Sequence, residues 1–383
     1  MYNFGIMKWN VVLFCLVPLV GFCQFEIGST SRVFTDTDRA RDVESFIYYP
    51  ANSAGADVDV ADGDFPVISI GHGFLMTYES YSYLWEHFVP LGYIVILPNT
   101  ETGVGVSHGE FGTDLSFVIH ALQAENALES SLFHEHVSPY SAVVGHSMGG
   151  GASILATAED ATITTVVTFA AAETDPSAIA AATAISQPSL TFAGENDCVA
   201  PPADHQEPIY ANLSDCKGYV LITGGSHCQF ANSNFVCELG EFACPGGGIS
   251  EAEQHAVVLG ILTPWLQAYL KTDFAAWEDV VALEGTGDNY DFNLECSENA
   301  PVLSVEKVKD FNAFIYPNPS NGLVSIPVDL IGYSFRLLAI DGRIVQEGLL
   351  QHQLDFSFLK KGTYFLQILG DKDLMITQQL IKV

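Results

Sequence analysis

Basic residues are scarce in this sequence of 383 residues, which has 14 Lys and Arg against 46 Asp and Glu and a formal net charge of −32. A surface this acidic repels phosphate backbones and anionic membranes, so we expect no nucleic-acid partner. The imbalance lies in residues 24–300, with 38 acidic and 5 basic residues, whereas residues 301–383 carry eight of each. This change in charge density predicts a domain boundary near residue 300.

The sequence also lacks any Cys-x-x-Cys pair, which argues against a zinc site, and we predict no metal and no organic cofactor. At the N terminus, Lys8 precedes a short apolar run that ends at Phe22. This pattern predicts a secretory signal peptide over residues 1–23, too short for a membrane anchor, and hence an exported chain. An even number of cysteines after it then predicts disulfides: Cys198, Cys216, Cys228, Cys237, Cys244 and Cys296.

Short apolar runs alternate with helix-like stretches between residues 24 and 296. Six runs have the continuous apolar character of strands covered on both faces, at residues 65–71, 93–98, 140–145, 164–170, 188–194 and 218–225. A closing helix is predicted over 254–271, with an interruption near Pro264. The alternation predicts an α/β domain over residues 24–296, built on a doubly wound, mostly parallel sheet.

The character of the sequence changes after a predicted linker at residues 297–310. From residue 311 to 383, apolar and polar residues alternate, and turn-forming pairs such as Asn318-Pro319 and Asp341-Gly342 punctuate them. These are hairpin signals, so we predict a small antiparallel β-sandwich over residues 311–383.

The run Gly145-His146-Ser147-Met148-Gly149 follows a predicted strand and precedes a helix-like stretch. In this context Gly-x-Ser-x-Gly predicts a nucleophile elbow, in which a strained turn exposes the serine and bulky neighbours are excluded. Ser147 is therefore the candidate nucleophile.

A serine nucleophile needs a base and an acid, which follow it in the order acid, then histidine. Asp197 and His227 each come directly after a predicted strand, where open α/β sheets gather their active sites. Glu173 and Asp175 are the alternative acids. Four other histidines are alternative bases, but none of them follows the last core strand: His72, His146, His205 and His255.

An oxyanion hole requires two hydrogen-bond donors. The backbone N–H of Met148, after the nucleophile, and that of Phe74, in the glycine-rich loop after the first long strand, are the predicted donors. The side chains of Phe74, Leu75 and His146 are predicted to contact substrate.

On these motifs, residues 65–275 resemble the α/β-hydrolase superfamily. Within it they are most similar to secreted cutinase-type and polyester hydrolases, related to the dienelactone-hydrolase group. The resemblance implies the triad Ser147, Asp197 and His227, with Phe74 and Met148 as the oxyanion hole. Three departures from the family pattern argue against polymer specificity. Residues 169–179 lack the family's tryptophan, and His72 stands before Gly73 where the polyesterases more often have proline. Residues 231–253 form an extra loop, expected over or beside the site as a partial lid.

The C-terminal part resembles the sorting domain of type IX secretion cargo proteins. Tyr316-Pro317-Asn318-Pro319, Asp341-Gly342-Arg343 and Lys361-Gly362-Thr363-Tyr364 carry this resemblance. It implies the type IX secretion machinery as a partner and a secreted or cell-surface location after export through the periplasm.

Cys198 directly follows the proposed acid, and Cys228 directly follows the proposed base. A bridge between them would hold the two catalytic loops together. Local pairs are at least as well favoured, such as Cys198 with Cys216 and Cys228 with Cys237 or Cys244.

Together these features predict a secreted serine carboxylic-ester hydrolase that forms an acyl-enzyme from uncharged acyl or aryl esters and functions as a monomer. A polyester or cutin hydrolase is the main alternative, and amide hydrolysis is a lesser one. A catalytically inactive surface binding module on the same fold is the alternative of another class.

Overall fold

The structure is a computed structural model that describes residues 25–214, 216–244, 248–296, 316–326, 330–339, 343–369 and 374–383. The chain divides into two compact units, residues 1–301 and residues 302–383. The predicted signal peptide and the predicted linker lie outside the described residues, and the exact domain boundaries stay a prediction. Among the helices of the described residues, none has the length and apolar character of a transmembrane span.

The described part of the N-terminal unit contains an 11-stranded sheet. Its strands are β1 (Glu26–Asp36), β2 (Arg41–Ala51), β3 (Gly55–Ala56), β4 (Phe65–Gly71), β5 (Ile94–Pro98), β6 (Val137–His146), β7 (Thr165–Phe169), β8 (Ser189–Gly194), β9 (Lys217–Ile222), β10 (Gly285–Gly287) and β11 (Tyr290–Glu295). They lie in the order β10-β11-β9-β8-β7-β6-β4-β5-β2-β1-β3. The six strands from β9 to β5 are parallel, and β11 and β2 pair with them antiparallel. The predicted mostly parallel α/β sheet is confirmed.

Helices cover both faces of this sheet. The described helices of this unit are α1 (Ser82–Phe88), α2 (His108–Glu125), α3 (Met148–Glu159), α4 (Ala178–Ala181), α5 (Gln206–Asn212), α6 (Phe235–Glu241), α7 (Glu251–Leu270) and α8 (Phe274–Ala282). Alternate residues of β4 face opposite cores: Ile68 packs in the cluster that includes α1, α7 and α8, and Val67 packs in the cluster that includes α2 and α3. Two cores of this kind require strands that are apolar on both faces, as the sequence predicts.

Helix α7 is continuous through Pro264, which corrects the predicted interruption. A proline inside a helix loses one backbone hydrogen bond and clashes with the preceding turn. Here the residues around it bury large apolar side chains, among them Leu262, Trp265 and Leu266. Burial of such side chains stabilises by about 1.5–3 kcal/mol each, which outweighs the loss at one position.

The C-terminal unit is antiparallel. Its described strands are β12 (Leu323–Ser325), β13 (Ser334–Ala339), β14 (Ile344–Leu349), β15 (Gln353–Asp355), β16 (Gly362–Leu369) and β17 (Leu374–Lys382). A four-stranded sheet, β14-β13-β16-β17, and a two-stranded sheet, β12-β15, share one core that includes Val324, Phe335, Leu354 and Leu366. A small antiparallel sheet domain, as predicted from the hairpin signals, is confirmed.

Candidate active site

Ser147 lies at the abrupt turn between β6 and α3. Its backbone has φ 55° and ψ −118°, a conformation that residues other than glycine rarely adopt. A Cβ atom at Gly145 would lie 2.1 Å from the carbonyl oxygen of Gly149, and one at Gly149 would lie 2.3 Å from the carbonyl group of Gly71 in β4. The two glycines therefore allow the elbow to pack directly against the neighbouring strand, because no larger residue fits.

The structure brings Ser147, His227 and Asp197 together at the carboxyl ends of β6, β9 and β8. His227 Nε2 lies 2.9 Å from Ser147 Oγ, and His227 Nδ1 lies 2.7 Å from Asp197 Oδ2. A carboxylate only accepts hydrogen bonds, so Nδ1–H donates to Asp197 and leaves Nε2 free to accept from the serine hydroxyl. Asp197 and His227 are buried, whereas Ser147 is partly exposed, so the chain of contacts ends at a hydroxyl that solvent can reach.

The second carboxylate oxygen of Asp197 is also fixed. Oδ1 accepts hydrogen bonds from the N–H groups of Val199, at 2.9 Å, and Ala200, at 2.8 Å. The alternative acid Glu173 is occupied elsewhere, because its carboxylate accepts from the Ser177 hydroxyl and from the Ile179 N–H at the start of α4. Glu173 therefore serves that helix and is not directed at His227.

The predicted oxyanion residues are Met148, directly after Ser147, and Phe74, in the loop after β4. Met148 is the first residue of α3 and is buried, whereas the side chain of Phe74 is 45% exposed. A Cβ atom at Gly149 would lie 2.6 Å from the carbonyl oxygen of His72, so the loop after β4 packs closely against the start of α3. Leu75 has φ 58° and is partly exposed beside Phe74.

His146 lies inside the protein with no exposed surface. Its Nε2–H donates to the carbonyl oxygen of His227 at 3.1 Å, and its Nδ1 accepts from the Tyr81 hydroxyl at 2.9 Å. The Tyr81 oxygen in turn accepts from the Gly73 N–H at 2.8 Å. Burial, reinforced by the neighbouring His227, holds the pKa of His146 well below its usual range, so the ring is neutral. Both ring nitrogens are occupied, and the predicted contact of His146 with substrate is corrected to this internal linkage.

Two further side chains hold the loop that carries His227, and neither was predicted from the sequence. The Gln254 amide on α7 accepts from the Ser226 N–H and donates to the Ser226 carbonyl oxygen, each at 2.9 Å. The Glu241 carboxylate at the end of α6 accepts from the N–H of His227 at 2.6 Å and of Cys228 at 3.3 Å. For Gln254 a signal existed, since it stands one and two turns before Val258 and Ile261 on the buried face of α7.

Three disulfides form between the cysteines, as Cys198–Cys244, Cys216–Cys296 and Cys228–Cys237. The prediction of disulfides is confirmed, and so is the pair Cys228–Cys237. The suggested bridges of Cys198 with Cys228 and with Cys216 are wrong, because the chain after His227 supplies Cys237 to the base loop and Cys244 to the acid loop. Cys216 and Cys296 instead flank Lys217 and Glu295, which are paired residues of β9 and β11.

Comparison with known families gives two matches. The PET hydrolase-like family matches residues 38–244. The secretion system C-terminal sorting domain matches residues 314–383 and indicates export, with the protein secreted or at the cell surface.

Several curated proteins are similar to the N-terminal unit. A bis(hydroxyethyl) terephthalate hydrolase of Streptomyces coelicolor is 25% identical over 190 residues, which are 49% of this chain and 56% of the relative. Cutinase 2 of Thermobifida cellulosilytica and cutinase cut1 of Thermobifida fusca are each 24% identical over 188 residues, 47% of this chain and 64% and 52% of the relatives. The chain thus spans about half to two thirds of the length of these relatives.

The residues matched by the hydrolase family make up more than half of the chain and contain β4 to β9, the elbow and the contacts of His227. On this match, the chain belongs to the PET hydrolase-like family.

Proposed function

We propose that the protein is a secreted serine carboxylic-ester hydrolase in which Ser147 is the nucleophile, His227 the base and Asp197 the acid. The continuous contact from Ser147 Oγ through the His227 ring to Asp197 Oδ2 is the observation that carries this proposal. Hydrogen-bond distances of 2.9 and 2.7 Å are within the range that proton transfer requires.

Acylation begins when His227 Nε2 takes the proton of Ser147. The serine oxygen then bonds to the ester carbonyl carbon, the bond to the alcohol oxygen breaks, and His227 gives its proton to the departing alcohol. Water repeats the sequence: it loses a proton to His227, attacks the acyl carbon and releases the acid as Ser147 recovers its proton. Asp197 orients the imidazole and stabilises its charged form, and its own carboxylate is held by two backbone N–H groups.

The tetrahedral intermediates carry a negative oxygen that needs hydrogen-bond donors. We assign this role to the backbone N–H groups of Met148 and Phe74. Met148 begins α3, whose N-terminus adds a partial positive charge. Tyr81 supports the second donor indirectly, because it accepts a hydrogen bond from Gly73, the residue before Phe74.

The proposed substrates are uncharged acyl or aryl esters. Phe74 and Leu75 offer apolar side chains in the loop after β4, and the net charge of −32 disfavours anionic esters. Polyester or cutin hydrolysis is the second candidate, supported by the terephthalate-ester hydrolase and the cutinases among the relatives. The proposed partner besides the ester is the type IX secretion machinery, acting on the C-terminal unit, and the proposed working form is a monomer.

Hydrolysis of p-nitrophenyl esters from acetate to palmitate tests the proposal. We expect hydrolysis by the unaltered protein and a loss of about 10⁶-fold in kcat for Ser147→Ala, the size of loss seen when a serine hydrolase loses its nucleophile. Ser116→Ala is the matched control, because Ser116 lies on α2 and its hydroxyl donates to Asp160, at the end of α3. A folded protein that is inert on every ester would favour the binding module instead.

A further inference from the structure

The chain after His227 forms a segment, residues 232–244, that is fastened to three parts of the proposed active site; we call it the bridged segment. At its start, the Asn232 N–H donates to the Ser80 carbonyl oxygen at 2.7 Å, a few residues after Phe74. In its middle, Cys237 is bonded to Cys228, and at its end Cys244 is bonded to Cys198. The segment therefore extends from the oxyanion loop, past the base loop, to the acid loop.

Helix α6 forms most of the bridged segment, and the carboxylate of Glu241 fixes which side of the helix faces the base loop. Glu241 accepts hydrogen bonds from the backbone N–H groups of His227 and Cys228, so this side of the helix faces the base loop. A helix of seven residues is not stable by itself in water, and here two disulfides and these hydrogen bonds fix it.

The rest of α6 is unlike an ordinary surface helix. None of its seven described residues is buried, yet Phe235 is 79% exposed, Leu239 is 64% exposed and Phe242, directly after the helix, is 88% exposed. These three residues are spaced by four and three positions, so they share one face. A contiguous exposed apolar face is uncommon on a soluble protein and marks an interaction site.

The position of this face and the net charge of the chain indicate what kind of molecule binds there. Val199, next to the Cys198 that is bonded to the bridged segment, and Phe74, in the oxyanion loop, are also exposed apolar residues. A second copy of a chain with net charge −32, or an anionic membrane, would be repelled, whereas an uncharged polymer would not. A substrate that contacts both Ser147 and α6 must extend beyond the ester group that is cleaved.

We propose that the face formed by Phe235, Leu239 and Phe242 binds an apolar, uncharged polyester chain and holds it beside Ser147. This inference rests on the proposed ester hydrolysis, and it adds the residues that favour a long polymer over a small ester. The disulfides serve this role because they keep the apolar face in place without a hydrophobic core beneath it.

The test uses the double substitution Phe235→Ser and Phe242→Ser in the full chain. Its matched control is Leu128→Ser with Phe274→Ser. These two exposed apolar residues lie just after the C-terminal ends of α2 and α7. The two helices are about 27 and 30 Å long by the rise per helical residue, so the control positions are far from the N-terminal ends of these helices. Adsorption to polyester particles is measured with Ser147→Ala added to each protein, so that binding is separated from cleavage. Hydrolysis of the particles and of p-nitrophenyl acetate is measured with Ser147 intact.

For the α6 variant we expect adsorption, and the ratio of polyester to acetate hydrolysis, to fall about tenfold or more. Two exposed aromatic side chains that become covered by the polymer contribute at least that factor to binding. The control should match the unaltered protein in both measurements. Unchanged adsorption, or an equal loss on polyester and on acetate, would overturn the proposal. If the unaltered protein hydrolyses neither ester but still loses adsorption through the α6 substitutions, then the proposed catalysis is wrong and the binding face is retained.

Discussion

Individual side chains next to Ser147 act on the reaction through the loops they connect. Tyr81 and His146 link Gly73, in the oxyanion loop, to the carbonyl oxygen of His227, in the base loop, by way of the residue before Ser147. Each link has one donor and one acceptor, so every polar atom in this buried path is satisfied. We therefore regard Tyr81 as a positioning residue that sets the distance between the oxyanion donors and the base.

Tyr81→Phe removes the acceptor of the Gly73 N–H and the partner of His146. A buried polar group left without its partner costs about 1–3 kcal/mol. This loss affects the oxyanion loop and the base loop, which both contact the transition state. We expect kcat for p-nitrophenyl acetate to fall about tenfold with a smaller change in KM, because the donors act on the transition state.

Tyr219→Phe is the matched control for Tyr81. Its buried hydroxyl finds no hydrogen-bond partner in the described part of the chain, so its removal leaves no group unsatisfied. Equal kinetic losses in the two variants would contradict the positioning role of Tyr81.

At the residue level, the candidate site could be predicted from the sequence where a motif or a fixed chain order exists. The glycines around Ser147 and the order Ser147, Asp197, His227 pointed to the residues that the structure brings together. Tyr81 could not be found in this way, because it lies 65 residues from His146 and belongs to no motif.

Among the elements, α6 and α7 determine how the base is held. Glu241 and Gln254 bind the backbone of consecutive residues, Ser226 to Cys228, from two different helices. The backbone of the base loop is thus fixed on both sides of the imidazole, and small misplacements of His227 are resisted.

Glu241→Ala should lower kcat about tenfold on a small ester, since hydrogen bonds to a charged group contribute about 1.5–3 kcal/mol and their loss frees the base loop. Glu241→Gln keeps an acceptor oxygen and should restore most of the rate. Glu238→Ala, one turn earlier on α6, removes a carboxylate that accepts only from the Ser233 hydroxyl among the bonds described, and should leave kcat unchanged. Failure of the glutamine variant to exceed the alanine variant would contradict a role based on hydrogen bonding.

Strands and helices could be predicted from the sequence where all or most of their residues are buried. Strands β4 and β5 are buried at every residue and read as continuous apolar runs. Strand β1 was missed, because it lies near the sheet edge and only Gly28 and Thr30 among its residues are buried. The α6 helix was predicted only as an extra loop, since its order depends on disulfides whose pairing the sequence leaves open.

Over the whole molecule, the net negative charge acts on approaching solutes at distances longer than any direct contact. In residues 24–300, Arg39 and Arg41 both pair with the buried Asp114, and Lys217 lies 3.8 Å from Glu295. Most of the few cations in this part are thus engaged locally, and a large excess of carboxylates faces the solvent. The resulting negative potential acts on any charged substrate that approaches Ser147.

This potential predicts opposite salt dependences for esters of opposite charge. Raising ionic strength from about 0.01 to 0.15 M shortens the screening length from about 30 to about 8 Å. We expect kcat/KM to rise several-fold for an anionic p-nitrophenyl glutarate, to stay constant for neutral p-nitrophenyl butyrate, and to fall for a cationic ester of similar size. The three substrates share one acylation chemistry, so a common response to salt would mean that salt acts on the protein itself and that the acidic surface does not select the substrate.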